Sequence, residues 1–151
     1  MKNSKRSLIP FKEYYNLISQ GRELVGEKIR VQYEYLVWLI ENSDQYIYDE
    51  AKADKVIIFI EMFCKHSKGR FGGKPFILEL WQKAFISALF GIVDKDTGLR
   101  KFNRATLLVP RKNGKSALAS ALSLYMLVMD DEPGAEIYSV ATKRDQANNV
   151  S

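Results

Sequence analysis

The sequence predicts an α/β fold in which an α-helical N-terminal region precedes a parallel β-sheet. Apolar residues recur at helical spacing up to about residue 90, and short apolar runs then alternate with helical patterns. The order strand, helix, strand, helix is typical of a parallel sheet. The chain has 151 residues, of which 46% are hydrophobic and 27% charged, and this ordinary globular composition argues against disorder.

The region from residue 11 to about residue 90 is predicted to be helical. Apolar residues recur there at broadly helical spacing, namely Leu24, Ile29, Val31, Tyr35, Leu36, Leu39 and Ile40. Residues 51–65 indicate another helix, although Val56–Ile60 alone also fits a buried strand, and the turn-forming segment Gly69–Pro75 ends it. An amphipathic helix that closes at Gly91 is marked by Leu78, Trp81, Phe85, Ala88 and Leu89.

The pattern changes after this helix. Asp94–Gly98 has the composition of a turn, and the apolar run Ala105–Val109 predicts a strand. A helix is expected from about Lys115 to Met129, and a Pro-Gly turn then leads to a second predicted strand, Glu136–Ala141. Residues from Lys143 onward again have a helical pattern, so the two strands would begin a parallel sheet.

Charge and hydropathy narrow the classes of partner. The formal net charge is +5, and the acid-free stretch Thr97–Met129 contains six Lys or Arg residues, which fits a polyanionic partner. The longest nearly apolar run, Ala117–Met129, is shorter than the ~20 residues of a membrane span, and no signal peptide is recognisable.

A single cysteine, Cys64, excludes an internal disulfide framework, and with His66 it cannot supply the four ligands of a structural zinc site.

The strand-to-helix junction contains a phosphate-binding loop pattern. Residues Val109–Ser116 match G-x-x-x-x-G-K-[ST], except that Val109 replaces the first glycine. Gly114 permits close approach of the backbone to a phosphate, and the N–H groups that open the following helix attract anions. Lys115 is placed to reach β- and γ-phosphates, and the Ser116 hydroxyl to bind Mg²⁺.

One motif that ends in acidic residues is not assigned to the nucleotide site. Leu124–Glu132 resembles a Walker B strand, in which an apolar run ends in acids, but its apolar residues continue the face of the predicted helix from Lys115. We therefore expect Leu124–Met129 to be helical.

The arrangement resembles the large terminase subunit of tailed bacteriophages, the motor that packages DNA into procapsids. Pro110–Ser116 is similar to that family's deviant phosphate loop, and Gly73–Gln82 followed by Leu89–Gly91 is similar to its adenine-recognition segment. Gly134–Ala147 is similar to the strand and helix that follow the loop. The likeness covers about residues 20–150.

The resemblance implies an incomplete P-loop NTPase fold. It places a helical N-terminal region in 1–75 and the first part of the ATPase domain in 76–151, ending before the Walker B strand. The family's C-terminal nuclease would also be absent. We therefore expect this chain to bind ATP with Mg²⁺ but not to hydrolyse it appreciably, and to associate through an unpaired sheet edge.

The resemblance also implies roles for individual residues. Gln82 would hydrogen-bond the adenine edge, Trp81 would pack beside the base, and Arg111 would contact the γ-phosphate as an arginine finger does. Arg111 and Lys115 would serve catalysis, and Ser116 would be the Mg²⁺ ligand. The implied ATP-binding residues are Trp81, Gln82, Arg111, Lys112, Asn113, Gly114, Lys115 and Ser116, among which Lys112 has no specific assignment.

Partners follow from the resemblance as well. They are double-stranded DNA through the full-length protein, the small terminase subunit, the portal protein and further copies of the chain, in the cytoplasm of the bacterial host and without a membrane. Two alternatives stay open. The chain could be a non-catalytic remnant or interaction module of the packaging machinery, or it could belong to another phosphate-loop enzyme such as a helicase.

Overall fold

The computed structural model describes residues 8–64, 76–107 and 115–129. Within these ranges the chain forms five helices and two short strands, in the order α1 (Pro10–Ser19), α2 (Glu27–Asn42), β1 (Tyr46–Tyr48), α3 (Glu50–Phe63), α4 (Leu80–Gly91), β2 (Ile92–Asp94) and α5 (Lys115–Val128). The chain divides into two compact units. The first combines Met1–Asp54 with Leu78–Asn103, and the second combines Lys55–Ile77 with Arg104–Ser151.

The core of the first unit is built by α1, α2, α4 and the first residue of β2. Its buried members are Phe11, Tyr14, Ile18, Tyr33, Leu36, Leu39, Ala84, Ala88 and Ile92. Helix α1 begins at Pro10, whose fixed φ and missing N–H suit the first helical position. The rings of Tyr14 and Tyr33 meet edge to face with centroids 5.1 Å apart, and burial raises the pKa of Tyr33, so that the phenol stays neutral in the core.

The sheet of the first unit is antiparallel. Strand β1 pairs with β2 in the register Tyr46↔Asp94, Ile47↔Val93 and Tyr48↔Ile92. The sequence did not predict this pair. Of the expected strand 105–109, residues 105–107 have no regular secondary structure, and residues 108 and 109 lie outside the described ranges, as does Glu136–Ala141. The mixed helix and strand content is therefore confirmed, whereas the parallel sheet stays a prediction.

The turn after β2 is confirmed. The Asp94 carboxylate accepts the backbone N–H groups of Asp96 and Thr97 at 2.9 and 3.0 Å. Gly98 has φ +71°, a left-handed conformation that favours glycine, and its carbonyl accepts a hydrogen bond from the Lys52 ammonium group.

In the second unit, the part of α3 from Lys55 onward meets α5 through aromatic rings. The centroids of Phe59 and Tyr125 lie 5.3 Å apart, edge to face. Val56, Ile60 and Leu118 are fully buried. The Val56–Ile60 run is helical, which decides between the two interpretations that its sequence allowed.

The predicted apolar faces were only partly right. In α2, Leu36 and Leu39 are buried as expected, but Val31 and Tyr35 are exposed, and Leu24, which precedes the helix, is 92% exposed. In α4, Trp81, Phe85 and Leu89 are only half-buried. The residues that α4 buries are Gln82, Ala84, Ile86, Ser87, Ala88, Phe90 and Gly91. Among the described residues, no helix is both long and apolar enough to cross a membrane.

Candidate nucleotide-binding site

The predicted site residues that the structure describes lie at two helix N-termini. Trp81 and Gln82 belong to the first turn of α4, in the first unit, and Lys115 and Ser116 open α5, in the second unit. The predicted loop residues between them, Arg111, Lys112, Asn113 and Gly114, lie outside the described ranges.

Helix α4 begins with a capping box. Glu79 is the N-cap residue, with extended φ and ψ of −76° and 163°, and its carboxylate accepts the backbone N–H of Gln82. In return, the Glu79 backbone N–H donates to Oε1 of Gln82 at 2.8 Å. The first N–H groups of a helix have no partner within it, so this reciprocal pair satisfies two donors at once.

Gln82 is almost completely buried, with 4% of its surface exposed. Oε1 has two lone pairs, one of which accepts the hydrogen bond from the Glu79 N–H. By its chemistry the amide can accept a second hydrogen bond at Oε1 and donate two from its amino group. Sequence reasoning assigned Gln82 only to the base and missed its capping role. The spacing Glu79-x-x-Gln82, an acceptor followed three residues later by Gln, was the available signal.

Trp81 is anchored at both ends of its side chain. Its indole Nε1–H donates to the Glu79 carboxylate at 2.7 Å, and its half-buried ring packs against the core of the first unit. A buried indole body with a hydrogen-bonded tip is the usual arrangement for tryptophan at a partly wet surface.

The N-terminus of α5 has no nearby acid within its own first turn that would repel an anion. The helix begins at Lys115, extends for 14 residues, and has no acidic residue in its first turn. Ser116 is exposed in that turn. The aligned peptide dipoles and unpaired N–H groups of such a terminus favour an anion, and an exposed hydroxyl beside them fits the coordination of Mg²⁺ on a phosphate.

The rejected acidic motif behaves as expected where it is described. Leu124–Val128 lies within α5, so this run is helical and not a strand, while Asp130–Glu132 lies outside the described ranges. In the described part of the chain, no group of three or more His, Cys, Asp or Glu side chains forms a metal site. Partial burial raises the pKa of the Cys64 thiol above its ordinary value, which disfavours the thiolate form.

Two comparisons with known proteins gave a match. Residues 80–151 match the family described as terminase large subunit, ATPase domain. The terminase large subunit of Enterobacteria phage HK97 is 36% identical over 97 residues, which are 64% of this chain. The two matches support the interpretation of this chain as a fragment of a phage terminase large subunit. It spans only 18% of the length of the HK97 protein. No solved structure matches the chain.

The terminase match includes both helix N-termini. The matched stretch begins at the first residue of α4 and extends beyond α5, so it contains every site residue predicted from the sequence, from Trp81 to Ser116.

Proposed function

We propose that this chain is an ATP-binding part of a DNA-packaging motor. The observation that carries the proposal is the start of α5 at Lys115, the lysine of the Gly-Lys-Ser sequence, within the stretch that matches the terminase ATPase domain. A phosphate loop must lead directly into a helix N-terminus, and α5 supplies one that has no acid in its first turn.

Residues of the loop and of α5 would hold the triphosphate. Gly114 and the N–H groups near Asn113 would cradle the phosphates, Lys115 would contact the β- and γ-phosphates, and Arg111 would face the γ-phosphate. Bound Mg²⁺ neutralises phosphate charge, and Ser116 would be its protein ligand. Lys112 adds positive charge beside the loop.

Residues at the start of α4 would contact the base. The Gln82 amide can donate to N7 of adenine and accept from its N6 amino group, and the Trp81 ring would lie beside the base. The capping hydrogen bond leaves this possible because a carbonyl oxygen has two lone pairs.

The wider assignments extend the same proposal. From the terminase matches we further propose a division into a helical region 1–75 and an ATPase region 76–151, and a location in the host cytoplasm. The proposed partners are double-stranded DNA, the small terminase subunit, the portal protein and further copies of the chain.

Isothermal titration calorimetry with ATP and Mg²⁺ tests the proposal. Lys115→Ala should weaken ATP binding at least tenfold, because a charge-assisted contact of this kind contributes roughly 1.5–3 kcal/mol. Ser116→Ala should reduce the dependence on Mg²⁺. Lys28→Ala removes an exposed lysine of α2 and serves as the matched control. Equal affinity of the Lys115→Ala variant and the parent would instead favour the non-catalytic interaction module.

A further inference from the structure

Glu79 is hydrogen-bonded to both side chains that are proposed to contact the base. Its carboxylate accepts the indole N–H of Trp81 at 2.7 Å and the backbone N–H of Gln82. Its own backbone N–H donates to Oε1 of Gln82 at 2.8 Å. Glu79 itself is exposed, so these bonds join a surface acid to one half-buried and one buried neighbour.

The bond to Oε1 fixes which end of the Gln82 amide faces the backbone. A backbone N–H can only donate, so the carbonyl end of the amide must face Glu79, and the amino end lies on the other side. The terminal torsion of a glutamine amide is broad and roughly two-fold, so an unrestrained amide can rotate and exchange its donor and acceptor ends. The capping box therefore restricts rotation of the Gln82 amide, so that the positions of its hydrogen-bond donor and acceptor are fixed.

This fixed orientation matters for the choice between adenine and guanine. Adenine presents the N7 acceptor beside the N6 amino donor, whereas guanine presents two acceptors, N7 and O6. An amide whose donor and acceptor ends are held in place matches the first pattern and leaves an acceptor facing an acceptor in the second. The hydrogen bond to Trp81 similarly limits rotation of the indole that would lie beside the base.

We propose that Glu79 is a positioning residue that sets the preference for adenine over guanine, by fixing the Gln82 amide through its backbone N–H and the Trp81 indole through its carboxylate. This inference rests on the proposed function, namely that the chain binds ATP. Glu79 contacts neither the base nor the phosphates in this scheme.

Three substitutions of Glu79 separate its two contributions. Glu79→Gln keeps the side-chain length and an acceptor for the indole, and Glu79→Ala removes the side-chain contacts alone. Glu79→Pro also removes the backbone N–H, and the φ of −76° at this position is one that proline adopts. Glu27→Ala removes an exposed acid from the first turn of α2 and is the matched control.

The measurement is the affinity of the full chain for ATP, GTP and tripolyphosphate by calorimetry. We expect the ATP-over-GTP ratio of Glu79→Gln and Glu27→Ala to match the parent, that of Glu79→Ala to fall about threefold, and that of Glu79→Pro to fall about tenfold, with tripolyphosphate affinity unchanged. In a Trp38→Phe background, the fluorescence of Trp81 should shift in Glu79→Ala and not in Glu79→Gln.

The outcomes distinguish this inference from the proposed function. ATP binding that depends on Lys115, with a ratio unchanged in both Glu79→Ala and Glu79→Pro, would overturn the role of Glu79 alone. A parent chain that binds neither ATP nor tripolyphosphate would overturn both proposals. If Glu79→Pro does not fold, the comparison of the Ala and Gln variants decides, and equal ratios and equal Trp81 emission in those two would refute the positioning role.

Discussion

Replacement of Gly91 by alanine should destabilise the first unit, because no space exists for a side chain there. A Cβ at Gly91 would clash with Cε2 of the Tyr48 ring and would lie 2.9 Å from its Cδ2 and 3.1 Å from Cβ of Ala53. The neighbours cannot easily move. Tyr48 pairs with Ile92 in the sheet, and its ring packs edge to face on Phe11 with centroids 5.6 Å apart. The backbone N–H of Asp49 donates a hydrogen bond of 2.7 Å to the Gly91 carbonyl.

Overpacking a core position costs about 1–3 kcal/mol, and the restrained neighbours place Gly91→Ala near 2 kcal/mol of unfolding free energy. For a chain of this length, that corresponds to a melting temperature about 4–8 °C lower, measured by circular dichroism. Gly26→Ala is the control, because its Cβ would meet nothing within 4 Å, and it should cost less than about 1 kcal/mol.

A double-mutant cycle isolates the clash with the ring. In a Tyr48→Leu background the ring atoms are absent, so Gly91→Ala should cost about half as much or less. Melting of Gly91→Ala at the temperature of Gly26→Ala, or an undiminished cost without the Tyr48 ring, would refute the steric reasoning.

Two further predictions concern the turn and the cap. The pKa of Asp94 is lowered chiefly by the backbone N–H of Thr97 and then by the Gln45 side chain. Because the folded pKa lies below the unfolded one, this carboxylate stabilises the fold above the unfolded pKa of about 4. The stabilisation is lost as the pH falls through the folded pKa. In Asp94→Asn, acid unfolding followed by circular dichroism should therefore lack the part of the pH dependence that comes from this carboxylate. Gln82→Ala should cost about 1 kcal/mol, because it leaves the Glu79 N–H unpaired, and should also abolish the ATP-over-GTP preference; a calorimetric preference that survives would confine Gln82 to the cap.

Local signals predicted helices and one turn, because the forces that decide them act within a few residues. The turn at Asp94–Gly98 followed from its composition, and α5 followed from its apolar pattern. The strand pair could not be predicted in this way, since Tyr46–Tyr48 has three residues and finds its partner 44 to 48 positions along the chain. Sequence patterns say little about such distant pairing.

The buried faces were harder to predict than the helices themselves. Helix α2 has apolar residues on more than one side, so Val31 and Tyr35 satisfied the helical spacing as well as Leu36 and Leu39 did, and only packing decides which pair is covered. At the candidate site, Ser116 was predicted from the phosphate-loop pattern and Gln82 from the family resemblance. Neither signal revealed that Gln82 also closes the capping box, because its polarity predicts exposure.

The discontinuous make-up of the first unit has a consequence for synthesis on the ribosome. Helices α1 and α2 emerge early, yet their core is completed by Ala84, Ala88 and Ile92, which follow the intervening segment 55–77. Until those residues leave the ribosome, Phe11 and its neighbours have no partner from α4 to bury them, and closing that segment costs chain entropy before any contact repays it. Nascent chains that pause before residue 92 would therefore expose the apolar faces of these helices, and such exposed surface makes a chain prone to aggregation.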